Sequence, residues 1–240
     1  MKALLKYHID MYMSGFHFMS PFLPVLIYSI LLCLFFSVLV SSCFVYSLAI
    51  LFTVCLADGF FLHRADSDDM DAVLILKSGS AIKYYLSKEV FLSLFALIYM
   101  LLILLYSAAA FLFGEIVLSK PVPAELAVLC SLHLLVALLG YELSSLFQSK
   151  MIRKRRLALM LFFITIIGIF MRQSLIRVPV LKCLFWVFPP IVKLLRIVSE
   201  SETFLSSEIG WIAVQLILDI LLVLVIKGVI WNKRKWTVYE

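Results

Sequence analysis

Five polar or ionisable side chains interrupt long apolar runs in this 240-residue chain: Asp58, His133, Glu142, Gln215 and Asp219. In lipid such groups are costly, so they usually face a bundle interior or water and pair with one another. Gln215 and Asp219 lie four residues apart, which puts both on one helix face near the middle of a run. That spacing suits a hydrogen bond between helices, with a substrate or proton site as the alternative. Asp58 and Glu142 sit near the ends of their runs, and His133 is expected to be a satisfied core histidine.

Other reactive side chains are dispersed. His8, His17, His63 and His133 lie far apart, and the chain has no His-Glu-x-x-His run, so zinc hydrolysis is not expected. The only dense acidic cluster is Asp66, Asp68, Asp69 and Asp71. Its spacing does not match the repeated Asp pairs of metal-dependent headgroup transfer. The cysteines at 33, 43, 55, 130 and 183 show no CxxC or Cys/His spacing. Four of them read as small buried hydrophobes. Cys183 is the one expected outside the cytoplasm, where a disulfide stays open. No metal site, catalytic site or cofactor is expected on this chain.

The elements that must position these groups are apolar helices. The chain is 64% hydrophobic and 15% charged, with a mean hydropathy of +1.10. A water-soluble domain of this size could not bury that much apolar surface in its own interior. A span needs roughly 20 apolar residues. Candidates are 21–40, 44–62, 89–113, 124–147, 157–171 and 210–230, with a Ser41-Ser42-Cys43 turn between the first two. The fifth, at fifteen residues, would cover only about 22 Å.

Charge orients the spans. With the N-terminus inside, the cytoplasmic segments carry fourteen Lys and Arg and the outer ones six; Lys227 lies within the last span. The excess places both termini in the cytoplasm. The heaviest clusters are Lys150, Arg153, Lys154, Arg155 and Arg156 in one break and Lys233, Arg234 and Lys235 in the tail. The net charge of +6 fits attraction to anionic lipid better than nucleic-acid binding, because no basic face is interleaved with base-stacking aromatics.

Three segments exceed what spanning requires. Residues 1–20 read as an interfacial helix, with Lys2, Lys6, Asp10, Ser14 and His17 on one arc and Leu4, Leu5, Ile9, Tyr12 and Phe16 opposite. This aromatic and Met-rich stretch is not expected to be a secretory signal. Residues 63–88 form the longest cytoplasmic connection: the acidic cluster, a short apolar stretch from Ala72 to Lys77, a Ser78-Gly79-Ser80 break, then Lys83 to Lys88. Residues 172–209 are largely apolar but split by Pro189-Pro190 into pieces too short to cross. They suit a reentrant hairpin or two helices lying flat at the interface.

Taken in order, these features resemble an ABC-2-type permease, the membrane subunit of an ATP-binding-cassette exporter, over essentially the whole chain. The local matches are Val73-Leu74-Ile75-Leu76, the Ser78-Gly79-Ser80 break, Lys88 with Glu89 at the entry to the third span, and acidic residues Asp68, Asp69 and Asp71 ahead of the stretch. Phe188-Pro189-Pro190 resembles the proline-bearing turn before the last span. The resemblance implies an all-α polytopic protein of six transmembrane helices, in the plasma membrane of a bacterium. It implies that Asp68, Asp69, Asp71, Val73, Leu74, Leu76, Lys77, Ser78 and Gly79 couple to a separate ATPase subunit, which would hold ATP and Mg. It also implies a second permease copy, or a relative, completing the path for an amphipathic or apolar cargo such as a peptide, antimicrobial or drug-like molecule. The chain has no G-x-x-x-x-G-K-[ST] phosphate-binding loop, so it is not expected to be an enzyme. The alternatives are an integral-membrane enzyme and a non-transporting accessory or sensor subunit.

Overall fold

The computed structural model describes residues 2–14, 19, 23–28, 40–65, 68–113, 123–147, 152, 154–175, 188–200 and 206–237. Every regular element among them is an α-helix. The order is α1 (Lys2–Ser14), α2 (Val40–Ala65), α3 (Asp68–Ser78), α4 (Ala81–Phe113), α5 (Pro123–Ser145), α6 (Arg155–Leu175), α7 (Ile191–Glu200) and α8 (Ser207–Thr237). Among the described residues, four stretches are long and apolar enough to cross a membrane: Ala81–Leu105, Ala124–Ser145, Arg156–Ser174 and Ser207–Ile230. A shorter apolar stretch, Phe44–Phe60, lies within α2. The architecture is consistent with a helical membrane protein. Most of the first expected span, and residues 176–187 of the expected hairpin, lie outside the described residues, as do Asp66, Lys150, Arg153, Arg177 and Cys183.

Helix boundaries differ from the expected ones for local reasons. Residues 41–43, expected as a turn, lie in the first turn of α2. Serine near a helix start competes little with helix formation, because the first N–H groups have no intrahelical acceptor. The helix over the fifth expected span is longer than its apolar run. α6 runs 21 residues, about 31 Å, and includes Arg155, Arg156 and Arg172. Arginine is a good helix former, so a charge flanking an apolar run does not end the helix there. α4 begins at Ala81 rather than Glu89, and α2 continues to Ala65, so the long 63–88 connection is itself mostly helical.

The join between α3 and α4 is a two-residue corner. Gly79 has φ +68°, a conformation that costs a side-chain-bearing residue, and its N–H bonds back to the Leu76 carbonyl at 3.2 Å. Ser80 then starts α4, its carbonyl accepting the Tyr84 N–H at 3.2 Å. The Ser80 N–H also reaches Ser78 Oγ at 3.3 Å. This corner fixes α3 rather than leaving it on a slack loop.

α2 and α5 form the central pair. α4 packs on both of them; α7 packs on α2, and α8 on α5. Their axes approach closely because glycines face the contact. A Cβ on Gly140 would stand 3.0 Å from the Phe52 carbonyl oxygen, and one on Gly59 would stand 2.0 Å from Ser144 Oγ. Small residues at such crossings let helices in lipid gain dispersion contacts that the solvent no longer supplies. Two apolar cores flank this pair. One joins α1, α4 and residues 23–28 to it through Tyr12, Tyr28, Phe91, Phe95, Tyr99 and Ile103. The other joins α6, α7 and α8 through Phe162, Ile169, Leu194, Val198, Ile212 and Leu216.

α7 spans only ten residues, about 15 Å. Its buried residues, Ile191, Leu194, Ile197 and Val198, share one face, which packs among α2, α6 and α8. Its exposed side carries an Arg196–Glu200 pair at 3.9 Å. Phe188, Pro189 and Pro190 lead into it, and the Pro190 carbonyl accepts the Leu194 N–H at 2.9 Å. The Phe188 ring fits because α6 has glycine at 168, where a Cβ would stand 2.7 Å from it.

Candidate functional site

Asp58 of α2 is 1% exposed and sits where four elements meet. The Tyr141 hydroxyl of α5 donates to its Oδ2 at 2.6 Å. The Tyr12 hydroxyl of α1 reaches Oδ1 and Oδ2 at 3.1 and 3.0 Å, and Tyr99 Oη of α4 lies 2.9 Å from Tyr12 Oη. A phenol has one hydrogen, and a carboxylate only accepts. Tyr12 therefore donates to Asp58, and Tyr99 donates to Tyr12. Burial, with the Asp58 carboxylate beside it, pushes the Tyr12 phenol far above its ordinary range, so it stays a donor. Gly59, next in α2, leaves room for the Tyr141 ring, which a Cβ there would meet at 2.9 Å.

The same interface explains α1. His8 and Tyr12 are buried, while Lys2, Lys6, Asp10 and Ser14 are exposed, as the polar arc required. The apolar side, however, turns onto α4. Tyr12 packs edge-on against Phe95 with centroids 4.5 Å apart, and His8 lies 5.6 Å from the Tyr84 ring with Nε2 3.3 Å from Ser87 Oγ. His17 and Phe16 lie outside the described residues.

A second polar cluster joins α4, α5 and α8. Lys227 is fully buried, and its Nζ donates to Glu89 Oε1 at 2.6 Å and to Glu142 Oε2. Glu89 keeps 17% of its side chain exposed, yet its Oε2 is buried without a hydrogen-bond partner among the described residues. Lys88, the neighbour of Glu89, is buried with its ammonium 5.7 Å from the centre of the Tyr84 ring. A lysine inside an apolar run demands an acid, so Lys227 was the signal from which this cluster could have been read, and Glu89 and Glu142 answer it.

The remaining intramembrane groups divide. His133 Nδ1 lies 2.8 Å from the Leu129 carbonyl, which can only accept, so Nδ1 carries the hydrogen. The other ring nitrogen, Nε2, lies 2.8 Å from Ser47 Oγ, a hydroxyl that also reaches the Phe44 carbonyl at 2.9 Å. That is a satisfied core histidine. Asp219 is buried and lies within electrostatic reach of Arg172 of α6. Its Oδ2 and Gln215 Nε2, one turn away, are buried with no hydrogen-bond partner among the described residues. Cys55 is buried, whereas Cys130 is exposed on α5 and departs from the buried role expected of it.

Asp68, Asp69, Asp71, Val73, Leu74, Leu76, Lys77 and Ser78 all lie on α3, with Gly79 at its end. α3 packs on α4 alone to any extent, and three of its apolar side chains face outward: Leu76 is 78% exposed, with Met70 and Val73 also exposed, while Leu74 and Ile75 are half-buried. Ile82 and Leu86, at the start of α4 and within its candidate span, are exposed as well. Lys88 and Glu89 follow on α4, where Glu89 joins the Lys227 cluster and not Asp219 or His133. Among the described residues there is no group of three or more His, Cys, Asp or Glu able to hold a metal.

Comparison with family models, curated proteins and solved structures returns no match to this chain.

Proposed function

We propose that this chain is the permease subunit of an ATP-driven exporter of the ABC-2 type, energised by a separate ATPase that docks on α3. The observation that carries this reading is the form of α3. It is a short helix, held by a glycine corner to α4, that exposes Met70, Val73 and Leu76. Exposed aliphatic residues on a rigid element outside any candidate span suit a protein partner better than solvent. ATP and Mg belong to that partner.

The packing supplies a route for force. A push on α3 passes through the Gly79–Ser80 corner to α4, and α4 holds α8 through Glu89–Lys227 and α1 and α2 through Tyr99, Tyr12 and Asp58. Closure of the ATPase dimer would favour one arrangement of these helices by its differential contact with α3. The full reading has six spans, both termini in the cytoplasm of a bacterium, and α7 as half of a reentrant hairpin turning at Phe188-Pro189-Pro190. A second copy or a relative completes the path. The cargo is amphipathic or apolar, a peptide, antimicrobial or drug-like molecule, moved for export or self-protection. The length of α7 and its single buried face support the hairpin, since a ten-residue helix cannot cross about 30 Å of hydrocarbon.

The test is copurification of ATPase activity from native membranes. Leu76→Glu is expected to abolish it while Gln215→Leu leaves it intact. Wild-type protein that carries no ATPase, or a Leu76→Glu variant that retains it, overturns the reading.

A further inference from the structure

α6 carries a feature that neither packing nor the proposed transport uses. At its start lies a cleft of about 440 Å³ lined by Lys154, Arg156, Leu157 and Met160. Two cations and two apolar side chains thus share one hollow. Neither cation pairs with an acid among the described residues, and the segment 150–156 contains five basic residues and no acidic one. Below the cleft, Leu157, Met160, Ile164, Ile167 and Met171 are all exposed. Their spacing of three and four residues makes one stripe along the helix, about 21 Å from first to last.

An exposed stripe of this spacing could meet lipid or another helix. Charge decides between them. A second copy related by a two-fold axis along the membrane normal would bring the same basic ends together, ten cations in all, with no acid in either segment to offset them. An anionic phospholipid offers the complement: a phosphate for the cations and an acyl chain for the stripe. Basic pockets at the ends of spans bind acidic headgroups for this reason.

We propose that this cleft is a binding site for an anionic glycerophospholipid, its phosphate between Lys154 and Arg156 and one acyl chain along Leu157–Met171. The site is independent of the transport reading and would survive its failure.

The full-length protein, purified in detergent with an equal mixture of phosphatidylglycerol and phosphatidylcholine, tests it by native mass spectrometry of the lipids retained. Phosphatidylglycerol is expected to be retained in preference. Lys154→Gln with Arg156→Gln is expected to cut that preference about thirtyfold, since each basic residue near an anionic surface contributes roughly fivefold. The charge-keeping exchange, Lys154→Arg with Arg156→Lys, is expected to preserve it, and so is Lys193→Gln on the exposed side of α7. Millimolar inorganic phosphate is expected not to displace the lipid, because it lacks the acyl chain. Equal retention of the two lipids by wild-type protein, or displacement by phosphate, overturns the proposal. Ready disulfide formation between Met160→Cys copies in native membranes would place a second copy on the stripe and overturn it as well.

Discussion

Asp58 and Asp219 are the same side chain in comparably apolar helices, and the folded chain treats them differently. Asp58 accepts hydrogen bonds from Tyr12 and Tyr141, with Tyr99 behind Tyr12, so four elements converge on one carboxylate. Asp219 has Arg172 within electrostatic reach, but its Oδ2 and the neighbouring Gln215 Nε2 go unbonded among the described residues. The first carboxylate ties the interface together; the second is tolerated by it. What separates them is the supply of donors. Three tyrosines come from helices that already cross beside α2, whereas α8 offers mainly aliphatic side chains around Asp219, with Leu216 and Val223 buried nearby in sequence. Burial of an acid predicts its importance only when its partners are known.

The largest expected effect comes from the cluster that joins the two sides. Lys227→Leu leaves Glu89 and Glu142 buried without their cation and is expected to cost about 3–5 kcal/mol, read as a fall in thermal midpoint in detergent. Adding Glu89→Gln and Glu142→Gln to it is expected to recover most of that loss; failure to do so would mean the lysine acts by packing instead of charge.

Asp58→Leu comes next, at about 2–3 kcal/mol, because it strips the tyrosines of their acceptor while removing one buried charge. The direct comparison is Asp58→Asn against Asp219→Asn: the first is expected to destabilise more, and equal effects would erase the contrast. Gly140→Leu tests the close approach on which the Asp58 network depends, since a side chain there meets the α2 backbone at Phe52 and Leu56. A loss of about 1–3 kcal/mol is expected, together with a smaller Asp58→Asn penalty in that background. Gln215→Leu should move the midpoint least, within about 1 kcal/mol and toward greater stability, because its buried Nε2 has no hydrogen-bond partner among the described residues. A large destabilisation would show that Gln215 makes a bond in the membrane.

Much of the helical content was legible from composition, because a run of apolar residues long enough to cross lipid must satisfy its backbone internally. The polar arc of α1 and the breaking role of Gly79 could also be read locally. The ends of α4 and α6 could not, since arginine, lysine and glutamate extend a helix as readily as they terminate an apolar run. The candidate site was legible only in part. Asp58, Glu142 and Asp219 stood out as isolated charges, and Lys227 was visible in its span. Tyr12, Tyr99 and Tyr141 did not stand out among ten tyrosines, because a phenol reads as an apolar residue until something places an acceptor against it.

By itself the amino-acid order determined that apolar helices dominate this chain, that its basic residues gather in a few breaks, and that a handful of acids must be buried at a cost. Those properties are additive along the chain, so they need no fold to be read. Tertiary structure alone decided which acid received partners. Lys227 lies 85 residues from Glu142 and Tyr12 lies 46 from Asp58. Bonds across such separations exist only after helix crossing, set by Gly59 and Gly140, has brought the donors within reach.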